Sequence, residues 1–332
     1  MIKRVSYVVP CYNEEAVLQE FYRRIDAVAS GLGDYTFEFV FINDGSTDRT
    51  AEILDGLAGE HRHVKVLHLA ANRGHQAAIT AGLDFASGDV VITIDADLQD
   101  PPELTGEILR RVEEGCDIVH MKRRRRSGES WFKLVTAKAF YLIMSRLTSS
   151  AIQRDTGDFR AISRRALLAV RSFREQHRFM RGIFSSLGFR QCVLEYDRDA
   201  RYAGETKYPL MKMLRLAANA LMSFSSAPIR FIASLSFFMW FVSIAYLVKS
   251  LVEHFYLKTT VPGWTSIIIL MTFFTGIIIF CLGIVATYVG RIFEQGQGRP
   301  IYWLRDARNI DSEGLDSTLP EVRLSIDMLR KP

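Results

Sequence analysis

Two long stretches near the end of this chain contain no charged residue, and they limit what the chain can fold into. The first runs from Phe231 to Val248 and the second from Thr259 to Gly290. Each is long enough to cross a bilayer, which takes roughly 20 apolar residues. We therefore expect two transmembrane helices, at about 229–251 and 264–290, joined by a short hairpin. A buried hairpin of a soluble protein is the alternative.

Basic residues flank both uncharged stretches and predict an orientation. The residues before the first stretch are Lys207, Lys212, Arg215 and Arg230, and those after the second are Arg291, Arg299, Arg305 and Arg308. Because Lys and Arg stay on the cytoplasmic side of a membrane, we expect both termini in the cytoplasm and the hairpin outside. The start of the chain shows no secretory signal, and it leads directly into a short strand.

Composition argues against nucleic acid as a partner. The net charge is +5, and much of the excess lies in Lys122–Arg126 and around the uncharged stretches. Such a cluster beside a membrane suits anionic lipid or phosphate, and no nucleic-acid-binding motif is present. A solvated run is the alternative for Lys122–Arg126. The four cysteines have no metal-type spacing, and we expect reduced, mostly buried thiols: Cys11, Cys116, Cys192 and Cys281.

The first 121 residues alternate apolar runs with amphipathic ones. The expected strands are Val5–Val9, Phe37–Ile42, Val64–Leu69, Asp89–Ile94 and Asp117–His120, with helices near 14–30, 48–60, 74–86 and 102–114. This alternation predicts an α/β fold with a mostly parallel sheet and helices on both faces. Two amphipathic stretches, Trp131–Leu147 and Pro209–Phe224, predict helices that lie in the membrane interface, with ordinary core-facing helices as the alternative. The polar tail from Asp306 to Pro332 is expected to add little to the core.

These patterns divide the chain into four parts. They are a cytoplasmic α/β domain at 1–208 with an interface helix near 131–149, a juxtamembrane helix at 209–228, the transmembrane pair at 229–290, and a cytoplasmic segment at 291–332. No internal repeat is present, and nothing in the sequence excludes a homo-oligomer.

Two acidic residues follow the fourth expected strand. Side chains alternate across a strand, so Asp95 and Asp97 project together from its carboxyl end, with Gln99 close behind. That edge is where ligands bind in open α/β sheets. Adjacent carboxylates repel unless a cation lies between them, and a Mg²⁺-type ion completes its shell with substrate phosphates. The motif therefore predicts a metal–diphosphate site, with capping of the next helix as the alternative.

Loops after the first two strands add groups suited to a nucleoside. Tyr12 supplies an aromatic platform, Asp44 a carboxylate for ring N–H groups, and Glu14 an acceptor for ribose hydroxyls. Each alone is weak, since Asp44 in an Asp-Gly-Ser sequence is more often a turn residue. Three loops that meet at one edge are much stronger evidence together.

The order of these motifs resembles that of family-2 glycosyltransferases of GT-A fold, which are Rossmann-like. The motifs are Pro10–Glu14, Asn43–Asp48, Asn72–Ala78, Asp95–Pro102, Asp155–Arg160 and Gly204–Tyr208. With the two spans, the chain resembles polyprenyl-phosphate glycosyltransferases, which include bacterial undecaprenyl-phosphate glucosyltransferases and dolichol-phosphate mannose synthases. The likeness covers about residues 4–305. It implies a metal-dependent hexosyltransferase in a bacterial-type inner membrane, with a nucleotide-sugar donor, a polyprenyl-phosphate acceptor, and Mg²⁺ or Mn²⁺ as cofactor.

The resemblance also assigns roles. The positions that match nucleotide-binding residues are Pro10, Tyr12, Glu14, Asp44 and Asp95, and those that match the metal and diphosphate site are Asp95, Asp97 and Gln99. Asp158 matches the residue often proposed as catalytic base, with Asp97 as its partner in the chemistry. Lys207 and Arg201 match groups near the phosphates. Two departures from the family pattern are Arg73, where an aromatic residue is common, and the glycine-rich Gln295–Gly298.

A physical argument qualifies the base. A lipid phosphate monoester has its second pKa near 6, so at neutral pH it is largely a dianion that needs little deprotonation before it attacks a sugar. Asp158 is then expected to orient the acceptor or to stabilise positive charge on the sugar. Arginine forks suit phosphate oxygens, and we expect the acceptor phosphate to be held from the set Arg123, Arg126, Arg160 and Arg201. His75 and His120 are read as structural or sugar-contacting residues.

The expected reaction is an inverting transfer of one monosaccharide to the lipid phosphate, because no second nucleophile for a covalent intermediate is evident. UDP-glucose with undecaprenyl phosphate is the preferred pair, and GDP-mannose with a dolichol-type phosphate is the alternative. A processive synthase is disfavoured because the chain has no Arg-Trp pair. The non-enzymatic alternative is a membrane sensor or transport component with a nucleotide-binding domain, which would leave the paired Asp residues without a purpose.

Overall fold

The computed structural model describes residues 2–124, 156–197, 227–252 and 263–310, together with 319, 321–323 and 327. Contacts divide the chain into two units. One contains the α/β domain and the residues from Arg299 onward, and the other contains two long helices. The expected helices at Trp131–Leu147 and Pro209–Phe224 lie outside the described residues.

The expected alternation of strands and helices in the first 121 residues is confirmed. The elements are β1 (Arg4–Cys11), α1 (Leu18–Gly31), β2 (Thr36–Asn43), α2 (Thr50–Glu60), β3 (Val64–Leu69), α3 (His75–Phe85), β4 (Val90–Thr93), a 3-10 turn (Pro102–Leu104), α4 (Thr105–Glu113) and β5 (Ile118–Arg123). The later elements of the α/β unit are β6 (Thr156–Ser163), α5 (Arg164–Ser172), α6 (Met180–Ser186), β7 (Gln191–Tyr196) and β8 (Leu304–Arg308).

The strands form one mixed sheet in the order β7-β5-β6-β4-β1-β2-β3-β8. Strands β3, β2, β1 and β4 run parallel to one another. The chain builds outward from β1 to β3 and then returns to β4 on the other side of β1, so the order of the strands reverses there. The carboxyl ends of β1 and β4 flank this reversal, which is where open α/β sheets bind ligands.

Helices cover both faces of the sheet, as expected. On one face the alternate residues of β1, among them Tyr7 and Val9, pack with Phe21 and Ile25 of α1 and Ile108 of α4. On the other face α3 lies very close to the strands. A Cβ built on Gly82 would stand 2.3 Å from Val8 Cγ1 and 2.6 Å from Ile42 Cδ1, so a larger residue would force these side chains to move.

Strand β6 is antiparallel to both of its neighbours, β4 and β5, and interrupts the parallel sheet. It carries Asp158 and Arg160, two residues of the sequence motif at 155–160. Thr93 on β4 donates a hydrogen bond to the backbone oxygen of Asp158 at 2.5 Å. The insertion of β6 therefore brings that motif beside the end of β4, where Asp95 and Asp97 follow.

The segment after the second long helix belongs to the α/β unit. Strand β8 pairs antiparallel with β3, and Ile301, Tyr302 and Leu304 are buried. The expectation of a tail with little core is wrong in part, because Leu319 and Val322 are also buried. These contacts could not be predicted from the tail's polar composition, because isolated apolar residues between charged ones give no periodic signal.

The expectation that every cysteine is a free thiol is also wrong. Cys116 and Cys192 form a disulfide with their Cα atoms 6.0 Å apart, while Cys11 and Cys281 are free. Parallel pairing of β5 with β7 brings these two positions together although 76 residues separate them. Sequence spacing carries no trace of such a pairing.

The second unit contains α7 (Ala227–Val252) and α8 (Trp264–Gly296). By length and composition, α8 is apolar enough to cross a membrane over Phe273–Gly296, and α7 contains a shorter apolar stretch, Phe231–Tyr246. Large apolar side chains are exposed along both helices, for example Phe237 and Ile292. Helix α8 runs beyond the expected boundary at 290 and ends at Gly296, just before Gly298, which has φ of 60°. The two-helix transmembrane hairpin and the cytoplasmic placement of the termini stay predictions.

Candidate active site at the carboxyl edge of the sheet

The loops after β1 and β2 are joined by hydrogen bonds. The backbone N–H of Thr47 donates to Asn13 Oδ1 at 2.9 Å, and the N–H of Asn13 donates to Ser46 Oγ at 3.1 Å. The N–H of Glu14 donates to Thr50 Oγ1 at 2.9 Å. Asn13 has a φ of 56°, a backbone region that Asn tolerates better than most residues. The expected meeting of these two loops at one edge is confirmed.

Asp44 holds a third loop to this pair. Its carboxylate accepts hydrogen bonds from the backbone N–H groups of Arg73, at 2.7 Å, and Gly74, at 2.9 Å. Its side chain is buried, and this burial raises its pKa, while the two N–H groups act in the opposite direction. Asp44 therefore fixes the backbone where α3 begins, one residue before His75.

Glycine is required beside Asp44. Gly45 has φ of 67°, and a Cβ there would stand 2.6 Å from the backbone nitrogen of Asn72. The loop after β2 therefore packs directly on the backbone of the loop after β3. The other residues predicted to bind nucleotide differ in access: Tyr12 is 47% exposed, whereas Pro10 lies within β1 opposite Ile42.

The two carboxylates predicted to bind metal follow β4. Asp97 Oδ1 accepts a hydrogen bond from the backbone N–H of Gln99 at 3.1 Å, which closes a tight turn. Leu98 between them has φ of 60°, an unfavourable conformation for a leucine that places strain at this turn. Burial raises the pKa of Asp95 to about 6, although His75 beside it acts to lower that value. Gln99 is nearly buried.

Asp158 is surrounded by three cationic side chains. Arg181 on α6 places Nε and Nη2 each 3.3 Å from one of its two carboxylate oxygens. Arg160 Nη2 lies 3.4 Å from Oδ1, and His75 Nε2 lies 3.3 Å from Oδ2. Burial alone would raise the pKa of Asp158, but these cations hold that pKa well below its usual range. Asp158 is therefore an ionised carboxylate at any physiological pH.

His75 links Asp158 to the residues that follow β4. Its Nε2 lies 3.6 Å from Asp95 Oδ1 as well as 3.3 Å from Asp158 Oδ2. Burial disfavours the charged imidazole, yet the two carboxylates raise its pKa to about 9. The site therefore contains a series of alternating charges, Asp95, His75, Asp158 and Arg181. They come from four separate segments: the loop after β4, α3, β6 and α6.

Arg160 does not have the accessibility that was expected of an acceptor-binding group. Its side chain is 2% exposed, its guanidinium lies 4.3 Å from the ring centroid of Phe184, and Nη2 donates to Gly157 O at 2.8 Å. Burial lowers its pKa to about 10. The prediction that Arg160 binds the lipid phosphate is not supported by this packing, which makes it an internal counterion of Asp158.

The basic run at 122–126 is paired where the structure describes it. Lys122 Nζ lies 2.6 Å from Glu195 Oε1, and Arg124 Nη1 lies 3.8 Å from Asp197 Oδ2. Arg123 Nε donates to Tyr196 Oη at 3.3 Å. The other predicted phosphate ligands, Arg126, Arg201 and Lys207, lie outside the described residues.

Sequence comparison identifies the family of proteins that carries this site. A model of glycosyl transferase family 2 matches residues 6–171. The chain belongs to this family. It is 40% identical over 310 residues to the uncharacterized glycosyltransferase YkcC of Bacillus subtilis (strain 168), a match that covers 93% of this chain and 96% of that protein. Bactoprenol glucosyl transferase of Shigella phage SfV is 34% identical over 305 residues, or 92% and 99% of the two chains.

Among solved structures, glucosyl-3-phosphoglycerate synthase from Mycobacterium tuberculosis, in a complex with Mn²⁺, UDP-glucose and phosphoglyceric acid, is a distant match. The TM-score is 0.49 at 21% sequence identity, over 66% of this chain and 78% of that one. Family membership and the sheet order establish a GT-A glycosyltransferase.

The residues at the end of β4 suit a divalent ion that is shared with substrate. Among the described residues, no three His, Cys, Asp or Glu side chains lie close enough together to enclose a metal ion. A Mg²⁺-type ion needs no such cage, because one or two carboxylates hold it and substrate phosphates and water complete its shell. Asp95 and Asp97 in this glycosyltransferase fit that mode of binding.

The sequence did not predict Arg181 at the site, nor the position of His75 between Asp95 and Asp158. Arg181 lies 23 residues beyond Asp158, outside every motif singled out in the sequence. It reaches the site because Gln76, next to His75, accepts a hydrogen bond from the backbone N–H of Met180 at 2.9 Å and so ties the start of α6 to α3. A contact of this kind has no local sequence signal.

Proposed function

We propose that this glycosyltransferase moves one monosaccharide from a nucleotide sugar to a polyprenyl phosphate, with UDP-glucose and undecaprenyl phosphate as the preferred pair. Similarity over nearly the full length to bactoprenol glucosyl transferase of Shigella phage SfV supports this reaction. The observation on which it chiefly depends is the joining of Asp95 and Asp158 through His75, because it places a carboxylate for the donor side next to an ionised carboxylate and its cations.

On the donor side, the exposed ring of Tyr12 is available to stack on the base, and Glu14 lies in the same loop. Asp97 and Asp95 would hold Mg²⁺ or Mn²⁺, which neutralises the negative charge that develops on the departing nucleoside diphosphate. Gln99 is held next to them by its hydrogen bond to Asp97. Asp44 acts indirectly, because its two carboxylate oxygens accept hydrogen bonds from the backbone of the loop after β3 and so hold that loop in place.

On the acceptor side, an oxygen of the lipid phosphate attacks the anomeric carbon of the sugar. The bond from that carbon to the diphosphate oxygen breaks, and the nucleoside diphosphate leaves with the electron pair. One displacement of this kind inverts the anomeric centre. The phosphate is already a dianion near pH 7, so no proton has to be removed, and Asp158 with its depressed pKa would be a weak base in any case.

The membrane assignment is supported by α8, whose span Phe273–Gly296 has the length and composition to cross a bilayer. Exposed apolar side chains along α7 and α8 suit contact with lipid. We propose that both helices anchor the enzyme in a bacterial-type inner membrane with the α/β unit and both termini in the cytoplasm. This arrangement would present the site to a lipid phosphate on the cytoplasmic leaflet.

The test is transfer of labelled sugar by the full-length protein in nanodiscs that contain undecaprenyl phosphate and Mg²⁺. Separate reactions receive UDP-glucose, UDP-galactose, UDP-N-acetylglucosamine or GDP-mannose, and label that moves into the organic phase is counted. We expect transfer from UDP-glucose, and loss of transfer when EDTA removes the metal. Replacement of undecaprenyl phosphate by dolichyl phosphate tests the alternative acceptor.

Each outcome has one meaning. Transfer from GDP-mannose alone would contradict the preferred donor and leave the reaction class intact. Transfer that persists in EDTA would contradict the metal. No transfer from any donor by folded protein, in Mg²⁺ or Mn²⁺, would contradict the polyprenyl-phosphate reaction.

A further inference from the structure

Arg181 is the one of the three cations around Asp158 whose role neither the sequence motifs nor the proposed reaction assigns. Its guanidinium forms a two-pronged contact with Asp158, with Nε and Nη2 each 3.3 Å from a carboxylate oxygen. The side chain is 34% exposed, whereas that of Arg160 on the same carboxylate is 2% exposed. Of the two arginines, only Arg181 can therefore meet a ligand without a change in packing.

Charge around Asp158 favours an anion at this place. Arg160 and Arg181 carry two permanent positive charges, and the carboxylate between them carries one negative charge. A carboxylate alone would repel a phosphate dianion, but this cluster attracts one. The planar fork of a guanidinium matches phosphate oxygens.

The position of Arg181 assigns it to the acceptor rather than the donor. The donor diphosphate is expected at Asp95 and Asp97, and His75 lies between Asp95 and Asp158. Arg181, on α6, contacts Asp158. Asp95 is instead contacted by His75, the first residue of α3. The hydrogen bond between Met180 and Gln76 holds the first turn of α6 in place, so that Arg181 is presented by a fixed backbone.

We propose that Arg181 binds the phosphate group of the acceptor, with Asp158 as the counterion that orients its guanidinium. This inference rests on the proposed function, because it takes a lipid phosphate as the acceptor. Asp158 then acts as a positioning residue: it holds Arg181 in one rotamer, and the acceptor phosphate is held where its oxygen can attack the sugar.

The test compares Arg181→Gln, Arg181→Lys and a matched control in the full-length protein. The control is Arg165→Gln, which removes another two-pronged arginine–carboxylate contact, made with Asp117 just before β5. Loss of a charge-assisted contact to phosphate is expected to raise KM for undecaprenyl phosphate about tenfold or more, with KM for the donor changed less than about twofold. Arg181→Lys keeps the charge and should recover part of the loss, and Arg165→Gln should match the wild type.

A structural role would give a different result, and a double variant detects it. If Arg181 only neutralises Asp158, then adding Arg181→Gln to Asp158→Asn changes nothing further, because the charge to be neutralised is already gone. We expect the double variant to show an additional rise in acceptor KM. An unchanged acceptor KM, or a rise in donor KM instead, would overturn the proposal.

Binding of undecaprenyl phosphate without donor separates this inference from the reaction itself. Native mass spectrometry of wild-type protein and of Arg181→Gln measures occupancy at equal lipid concentration, and melting temperatures establish that both are folded. Weaker binding by the variant supports the proposal even if no sugar is transferred. Equal binding overturns it even if the wild type is an active glycosyltransferase.

Discussion

At the scale of single residues, the state of Asp158 decides what it can do in the reaction. Three cations hold its pKa well below its usual range, so it is ionised throughout the pH range of an assay. Such a carboxylate can orient Arg181 and stabilise positive charge on the sugar, but it cannot set the pH dependence of the rate. The groups that titrate near pH 6 are the acceptor phosphate, whose second pKa is about 6, and Asp95, whose pKa burial raises to about 6.

The pH–rate profile tests this assignment. As pH falls through about 6, the acceptor dianion becomes a monoanion and kcat/KM for the acceptor is expected to fall with it. Asp158→Asn should lower the rate about 100-fold at every pH, because a fixed charge is lost, and leave the shape of the profile unchanged. A variant that loses the acidic limb would show that Asp158 itself sets it. A variant within a few-fold of wild-type turnover would show that Asp158 has no catalytic role.

The individual residues differ in how far the sequence predicted them. Asp95 and Asp97 were predictable because two acids directly after a buried strand must lie at its carboxyl end. Arg181 was not, because its approach to Asp158 depends on the packing of α6 against α3. Arg160 was predicted as one of the groups that hold the acceptor phosphate, since a sequence cannot show that its guanidinium packs against the ring of Phe184.

At the scale of elements, strands β1 to β5 were predictable, whereas the antiparallel strands β6 and β8 were not. Strands β1 to β5 are apolar runs between helical patterns, which hydrophobic periodicity detects. Strand β6 contains Asp158 and a buried Arg160, and β8 contains three charged residues, Arg305, Asp306 and Arg308. Charged residues on an edge strand such as β8 discourage pairing with other chains. The same charged residues lower the hydropathy of β8, so hydrophobic periodicity does not detect it.

Asn309, which directly follows β8, holds this strand to α2 and β3 by side-chain hydrogen bonds. These bonds lead to a prediction about stability. Asn309 Nδ2 donates to Ala58 O at 2.7 Å and to Val64 O at 2.9 Å, and it lies 3.3 Å from His61 O. Asn309→Ala removes these hydrogen bonds and is expected to lower the free energy of unfolding by about 1–3 kcal/mol.

The measurement is the melting temperature of the full-length protein, with Arg305→Ala, at an exposed position of β8, as the control. We expect a lower melting temperature for Asn309→Ala and little change for Arg305→Ala. Equal melting temperatures for Asn309→Ala and the wild type would show that β8 is not held by this residue.

At the scale of the whole molecule, residues that follow α8 in the chain pack into the α/β unit. Tyr302 donates to Asp84 Oδ2 at 2.8 Å, and Arg174 contacts both Asp84 and Glu321. This buried charged group joins α3, the segment after α5 and the end of the chain. The expected segment at 291–332 was defined by sequence order alone. Sequence order does not reveal a contact between residues 218 positions apart, such as Tyr302 and Asp84.

The central claim is that the carboxyl edge of this sheet transfers sugar to a lipid phosphate, and one comparison tests it most directly. Transfer of labelled glucose from UDP-glucose to undecaprenyl phosphate is measured for wild type, Asp97→Asn and the control Asp26→Asn on α1. Loss of a carboxylate from the metal–diphosphate site should reduce transfer at least about 100-fold, while the control matches the wild type. Equal transfer by folded Asp97→Asn and wild type would contradict the account.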